Sequence, residues 1–241
     1  MRTPWVVGVS GASGTPYARA VLGSLLDAHQ PVDLIVSRAA RLTILDETGL
    51  SFRDAHWQQD LADWLGRDVR AASTPDAGAS EADRPDGGTA EGNTSDARTT
   101  DEPGGDVRYW AAGDLAAGPS SGSYRTRGMV VVPASTAAVA GIAIGLSKDL
   151  LQRAADVTLK ERRPLVIVPR ETPYTRATLQ HLLELHDAGA TVLPASPGFY
   201  SAPKDLQQLV DFVAAKVLDA IGVEHDLITR WTGELGAARD R

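Results

Sequence analysis

The stretch Trp5-Val-Val-Gly-Val-Ser-Gly-Ala-Ser-Gly-Thr-Pro-Tyr17 restricts this chain more than any other. Its apolar run, Trp5 to Val9, reads as a buried strand. The run breaks into Gly8, Ser10, Gly11, Ser13 and Gly14, and Pro16 then opens a helical pattern. A strand, a Gly/Ser turn and a helix start together aim backbone N–H groups and a helix N-terminus at a phosphate. The spacing is Gly-x-x-Gly-x-x-Gly, which differs from the dinucleotide fingerprint Gly-x-Gly-x-x-Gly. A phosphate-bearing mononucleotide fits this stretch, and a tight turn with no ligand fits it equally well.

The rest of the chain repeats the alternation. Predicted strands are Val32 to Val36, Val107 to Trp110, Met129 to Val132, Leu165 to Val168 and Thr191 to Leu193. Predicted helices cover Tyr17 to Leu26, Arg38 to Asp46, Phe52 to Leu65, an Ala/Ile-rich run to about Leu146, Lys148 to Arg162, Thr175 to Ala188, Lys204 to Ile221 and a tail over Asp226 to Leu235. Buried β-branched runs between helices predict an α/β protein with a doubly wound parallel sheet. Ligands in that architecture bind beyond the carboxyl ends of the strands. Ser10 to Gly14, Ser37, Ser135-Thr136 and Arg170-Glu171 all fall there. Four polar strand ends are harder to explain as turn chemistry than one Gly-rich loop, and they favour a phosphorylated ligand.

Composition narrows the class. The 241 residues suit one α/β domain. No cysteine is present, so disulfides, thiolate metal sites and cysteine nucleophiles are excluded. No apolar run is long enough to span a bilayer and no signal-peptide pattern is visible, so a cytoplasmic protein without membrane insertion is expected. The formal charge of −7 belongs to one segment, residues 71–106, which holds nine of the 31 acidic residues and two of the 24 basic ones. The remainder is balanced at 22 of each and carries no basic stripe, which argues against nucleic acid. Residues 71–106 contain no Val, Leu, Ile, Met or aromatic residue. Such a segment cannot offset the entropy of ordering, and it is expected to be a disordered acidic insertion.

Candidate chemistry is cationic and carboxylate in kind. His181 and His186 lie five apart on one predicted helix and do not share a face, and no Asp, Glu and His set has metal-ligand spacing. Ser13 lies in a phosphate-type loop, with no Gly-x-Ser-x-Gly elbow. Arg153, Lys160, Arg163, Arg170 and Lys216 are candidates to neutralise phosphate charge without a metal. A solvated helix face is the simpler account of each except Arg170, which directly follows a buried strand. Glu171 beside it and Glu47 at a helix end are candidate acid/base groups.

Seven segments then resemble one family. They are Gly8-Val-Ser-Gly-Ala-Ser-Gly14, Ser37-Arg-Ala-Ala-Arg41, Glu47-Thr48, Ser121-Gly-Ser123, Arg153-Ala-Ala-Asp-Val-Thr-Leu-Lys-Glu-Arg-Arg-Pro-Leu165, Arg170-Glu-Thr-Pro173 and Pro197-Gly-Phe-Tyr200. They are similar to the UbiX flavin prenyltransferases, from about Trp5 to Trp231 and interrupted only across residues 71–106. The resemblance implies a flavodoxin-like three-layer α/β/α domain that binds FMN and dimethylallyl phosphate. Such enzymes join the dimethylallyl group to N5 and C6 of reduced FMN, without a metal, and release phosphate. The prenylated FMN serves UbiD-type decarboxylases. The resemblance also implies a dodecamer whose sites are completed by neighbouring subunits.

Carried over by motif, FMN contacts would come from Ala12, Ser13, Gly14, Ser37, Ser135, Thr136, Ala137, Ala138 and Arg170. Dimethylallyl phosphate would meet Arg153, Lys160, Arg170, Tyr200 and Lys216. Catalytic roles would fall to Ser13, Glu47, Lys160, Glu171 and Trp231, the last as an aromatic face for an allylic cation. Two departures stand out. Ala134 and Ala138 replace a cysteine and a hydroxyl residue common in the family, and residues 71–106 are inserted. Two other readings compete: a non-catalytic FMN carrier of a decarboxylase system, and a flavin-dependent decarboxylase of the related family that relies on a cysteine absent here.

Overall fold

The computed structural model describes residues 2–72, 105–199 and 202–230. Among these residues six strands form one all-parallel sheet: β1 (Trp5–Val9), β2 (Val32–Val36), β3 (Val107–Ala111), β4 (Gly128–Ala134), β5 (Leu165–Pro169) and β6 (Thr191–Val192). Their spatial order is β3-β2-β1-β4-β5-β6. The order reverses between β1 and β4, the place where doubly wound sheets hold ligands. Among the described residues seven α-helices cover the sheet: α1 (Thr15–Asp27), α2 (Arg38–Thr48), α3 (Trp57–Leu65), α4 (Thr136–Ala143), α5 (Leu150–Lys160), α6 (Arg176–Asp187) and α7 (Leu206–Ile221).

Strand alternation divides the core into two layers. Val7, Val9, Leu34, Val130 and Val166 face α1, α2, α3 and α7, where Leu22, Leu25, Ile44, Trp64 and Val217 pack against them. Val6, Ile35, Met129, Val131 and Ile167 face α4, α5 and α6 through Ile142, Leu151, Ala155 and Leu185. This is the expected flavodoxin-like α/β/α sandwich. Gly8 lets α5 approach, because a Cβ there would lie 2.9 Å from Met129 Cε and 3.1 Å from Leu151 Cγ. Leu22 is fully buried. Leu22→Ala is expected to cost about 2–5 kcal/mol, read as a lower denaturant midpoint.

The strands match the sequence reading closely, whereas several helices start later. The α5 helix begins at Leu150 and not at Lys148, because the Asp149 side chain accepts from Gln152 N (2.9 Å) and Gln152 Oε1 accepts from Lys148 N (3.0 Å). Asp205 and Gln208 do the same before α7, with Lys204 N donating to Gln208 Oε1 at 2.9 Å. Both are reciprocal capping pairs that leave the preceding lysine outside the helix. The predicted Phe52–Leu65 helix is a short 3-10 turn, Asp54–His56, followed by α3. Buried Asp60 accepts from the Arg53 backbone N–H at 2.7 Å and from its guanidinium, holding Arg53 outside the helix.

The predicted tail helix is not present over Asp226 to Arg230, and its remainder lies outside the described residues. There the chain folds back on α7 through Asp219, which accepts from Arg230 at 3.0 Å. Most of the predicted insertion also lies outside the described residues. Its flanks belong to the sheet edge: Ala71 bridges Val107, Ala72 N donates to Val107 O, and Gly105 N donates to Leu26 O. The chain therefore leaves and returns at the same place beside β3. Excising residues 73–104 with a short Gly/Ser closure is expected to leave assembly and turnover intact. Native mass spectrometry and an activity assay check this.

Candidate active site

The carboxyl edge of the sheet gathers three helix starts. The loop after β1 is fastened to β4 by Ser10, whose hydroxyl donates to Pro133 O (2.8 Å) and accepts from Ser135 N (2.7 Å). Ser10 is 3 % exposed and both donates and accepts across to β4 and its following loop, so it holds the switch point together. Ser37 caps α2 by accepting from Ala40 N at 3.1 Å, and Ser135 caps α4 by accepting from Ala138 N at 3.2 Å. Each hydroxyl accepts from its helix and keeps its own proton to donate outward.

The start of α1 is seated differently. Gly14 precedes it in the left-handed region, at φ 109°, where a Cβ would lie 2.9 Å from the Tyr17 ring. The Glu47 carboxylate, at the end of α2, fills the anion seat there. It accepts from Gly14 N and Thr15 N (2.8 Å each) and from Thr15 Oγ1 (2.6 Å). Partial burial opposes ionisation of Glu47. Hydrogen bonds from the Thr15 and Ser13 hydroxyls and the two amides outweigh it, and its pKa falls below the usual carboxylate range. A folded pKa below the unfolded one adds stability above the unfolded value, about pH 4.3, that fades as pH falls through the folded value. Glu47→Gln is therefore expected to lower the denaturation midpoint at pH 7, and the gap from wild type should narrow on acidification below about pH 4. Urea titrations at stepped pH check this.

Arg170 follows β5 and crosses to the β1 loop, where its Nε donates to Ser13 O at 2.8 Å. Its two terminal nitrogens have no partner among the described residues, so four of the five guanidinium N–H groups are open to an anion. Glu171 is exposed, and its Oε1 accepts from Thr172 N at 2.9 Å, which leaves the second oxygen open. Glu171 and Thr136 line a cleft of about 320 Å³ between α4 and α6, together with Thr175, Thr178 and His181.

The structure thus gathers Ser13, Gly14, Ser37, Glu47, Ser135, Thr136, Ala137, Arg170 and Glu171 at one edge. Ala12 and Ala138 are there with committed amides, since Ala12 N donates to Ser10 O at 2.9 Å and Ala138 N to Ser135. The chain does not bring Lys160 to this edge. Lys160 ends α5 beside the start of β5, and Arg170 follows the far end of that strand. Five strand residues at roughly 3.3 Å each separate them by about 16 Å. Lys160 pairs with Glu161, and Lys216 stands exposed on α7, 3.7 Å from Asp219. Arg153 donates to Ser120 O (3.1 Å) and Asp156 (2.7 Å). Tyr200 and Trp231 lie outside the described residues. The sequence reading missed Thr15, although a Thr heading the helix after the Gly/Ser turn was a visible signal.

A dianionic mononucleotide fits this edge. The α2 start with Ser37 suits a phosphate, given that Glu47 already occupies the α1 start. The exposed first turn of α4 presents the Thr136 and Ala137 amides outward, free to donate to acceptor atoms of such a ligand. Among the described residues no group of three or more His, Asp and Glu converges to hold a metal ion.

Comparison with known proteins decides the family. The Flavoprotein family matches residues 1–218. A protein named flavin prenyltransferase UbiX from Streptomyces coelicolor is 61 % identical, over 98 % of both chains. The chain belongs to the UbiX flavin prenyltransferases. The UbiX of Pseudomonas aeruginosa is 35 % identical, over 92 % of this chain and 91 % of its own. Among solved structures, AnUbiX (PadA1) in complex with FMN and dimethylallyl pyrophosphate superposes with a TM-score of 0.73 at 29 % identity, over 98 % of this chain and all of that one. A dodecameric FMN-dependent UbiX-like decarboxylase from Escherichia coli O157:H7 gives 0.72 at 32 % identity, over 96 % of this chain and all of that one. Membership makes the protein an FMN-using enzyme that transfers prenyl groups, and it favours that reading over the carrier and the decarboxylase.

Proposed function

We propose that the enzyme joins the dimethylallyl group of dimethylallyl phosphate to N5 and C6 of reduced FMN, releasing phosphate and yielding prenylated FMN for a UbiD-type decarboxylase. The observation that carries this reading is the open Arg170 fork beside the unspent oxygen of Glu171 at the strand ends. Reduced FMN supplies the nucleophilic N5 and C6 positions. Ser37 and the α2 start hold its phosphate, and Thr136 and Ala137 amides hold the ring edge. Ser13, anchored by Glu47, is set beside the reacting face. Glu47 remains a carboxylate and acts by positioning the Ser13-Gly14-Thr15 turn.

Glu171 exchanges protons with the leaving phosphate and with the flavin as ring closure proceeds. Arg170 neutralises the phosphate charge, and Arg153, Lys160, Lys216 and Tyr200 complete that role. Because Lys160 lies at the opposite sheet edge from Arg170, its contribution comes from a neighbouring subunit, in an assembly like that of the dodecameric relative. Trp231 offers an aromatic face to the allylic cation. The decarboxylase name carried by one relative has no support in a cysteine, because this chain has none. Anaerobic incubation with reduced FMN and dimethylallyl phosphate, followed by flavin mass spectrometry, tests the reading. A carrier or decarboxylase leaves the flavin mass unchanged.

A further inference from the structure

The segment between β3 and β4 is held by side chains far from it in sequence, and these holds have one physical effect. Arg163 Nη1 donates to Tyr124 O (2.9 Å) and Thr126 Oγ1 (3.0 Å), and its Nη2 donates to Gly122 O (2.7 Å). Arg153 takes Ser120 O. Three alternate carbonyl oxygens of residues 120–124 are therefore turned inward onto guanidinium groups, which removes their negative charge from the outer surface. Tyr124 adds a second fastening. Its hydroxyl donates at 2.7 Å to Asp33, a fully buried carboxylate that also pairs with Arg2. Burial and the neighbouring Asp33 push the Tyr124 phenol up to about 12, so it remains a donor across the working pH range.

Lys160 and Glu161 rest on this loop at Gly122. A Cβ at that position would collide with Glu161 Oε1 and lie 2.7 Å from Lys160 Nζ. The place of Lys160 therefore depends on where Arg163 and Tyr124 hold Gly122. We infer that Arg163 and the Tyr124–Asp33 pair are positioning residues that set the Ser120–Thr126 loop and Lys160 to receive the phosphate of the allylic substrate. This rests on the reading of Lys160 as a phosphate-binding cation.

The test uses the assembled, FMN-loaded enzyme with Arg163→Lys and Tyr124→Phe. The first keeps the charge and loses the fork that spans three acceptors. The second keeps the ring against Trp110 and loses only the bond to Asp33. Both are expected to raise KM for dimethylallyl phosphate and the Ki of inorganic phosphate about tenfold, with Kd for FMN unchanged. Unchanged KM and Ki in either assembled variant would overturn the inference, as would an equal loss of FMN affinity. Wild-type enzyme that leaves the flavin mass unaltered overturns instead the assigned reaction, so the two failures are distinct.

Discussion

Glu171→Gln is expected to reduce flavin prenylation by about 10²–10⁴-fold while leaving FMN affinity within about twofold. Gln can still accept from Thr172 N, so the 2.9 Å contact that fixes the side chain survives the change. What it cannot do is take or give a proton at the remaining atom. The loss therefore isolates proton transfer from geometry, which a change to Ala would confuse. Rapid-quench single turnovers with prebound reduced FMN check this. A variant that prenylates at the wild-type rate would transfer the role of Glu171 to the phosphate itself or to another group.

The second large effect concerns who completes the site. Lys160→Ala and Glu171→Gln are each expected to abolish turnover in homogeneous assemblies. When the two chains are unfolded, mixed and refolded together, activity should return to roughly a quarter of the sites by random pairing across a heterologous contact. The reason is topological. The crossover helix α5 must run back along the sheet, so its last residue lies at the amino edge while Glu171 lies at the carboxyl edge. An assembly of mixed chains that stays inactive would mean that each site draws both residues from one chain, against the separation of about 16 Å set by β5.

Much of this architecture was legible in the sequence. Runs such as Val32–Val36 and Leu165–Pro169 are buried on both faces, so their boundaries are set by where β-branched residues stop. The polar residues after them could then be gathered at one edge by topology alone. The segregation of Lys160 was equally available, because a helix between parallel strands must end where the next strand begins. Helix starts were less legible: Asp149 and Asp205 cap through side-chain bonds that compete with the helical reading of the preceding lysine.

The role of Glu47 was hidden for a different reason. Its partners Gly14 and Thr15 lie 33 and 32 residues away, and nothing local distinguishes a helix-end glutamate that fills an anion seat from one in solvent. The family departure at Ala134 and Ala138 also changes meaning with the fold. Ala134 is buried within β4 and the Ala138 amide is spent on Ser135, so in the proposed reading the contact at α4 falls to the amides of Thr136 and Ala137.

Prenyl transfer to the flavin is tested most directly by the mass of the flavin recovered after anaerobic incubation of the full chain with reduced FMN and dimethylallyl phosphate. A gain of one C5H8 unit is expected, with one phosphate released per flavin and no gain above background from Glu171→Gln in a single turnover time. FMN recovered at its original mass from assembled, flavin-loaded enzyme would contradict it.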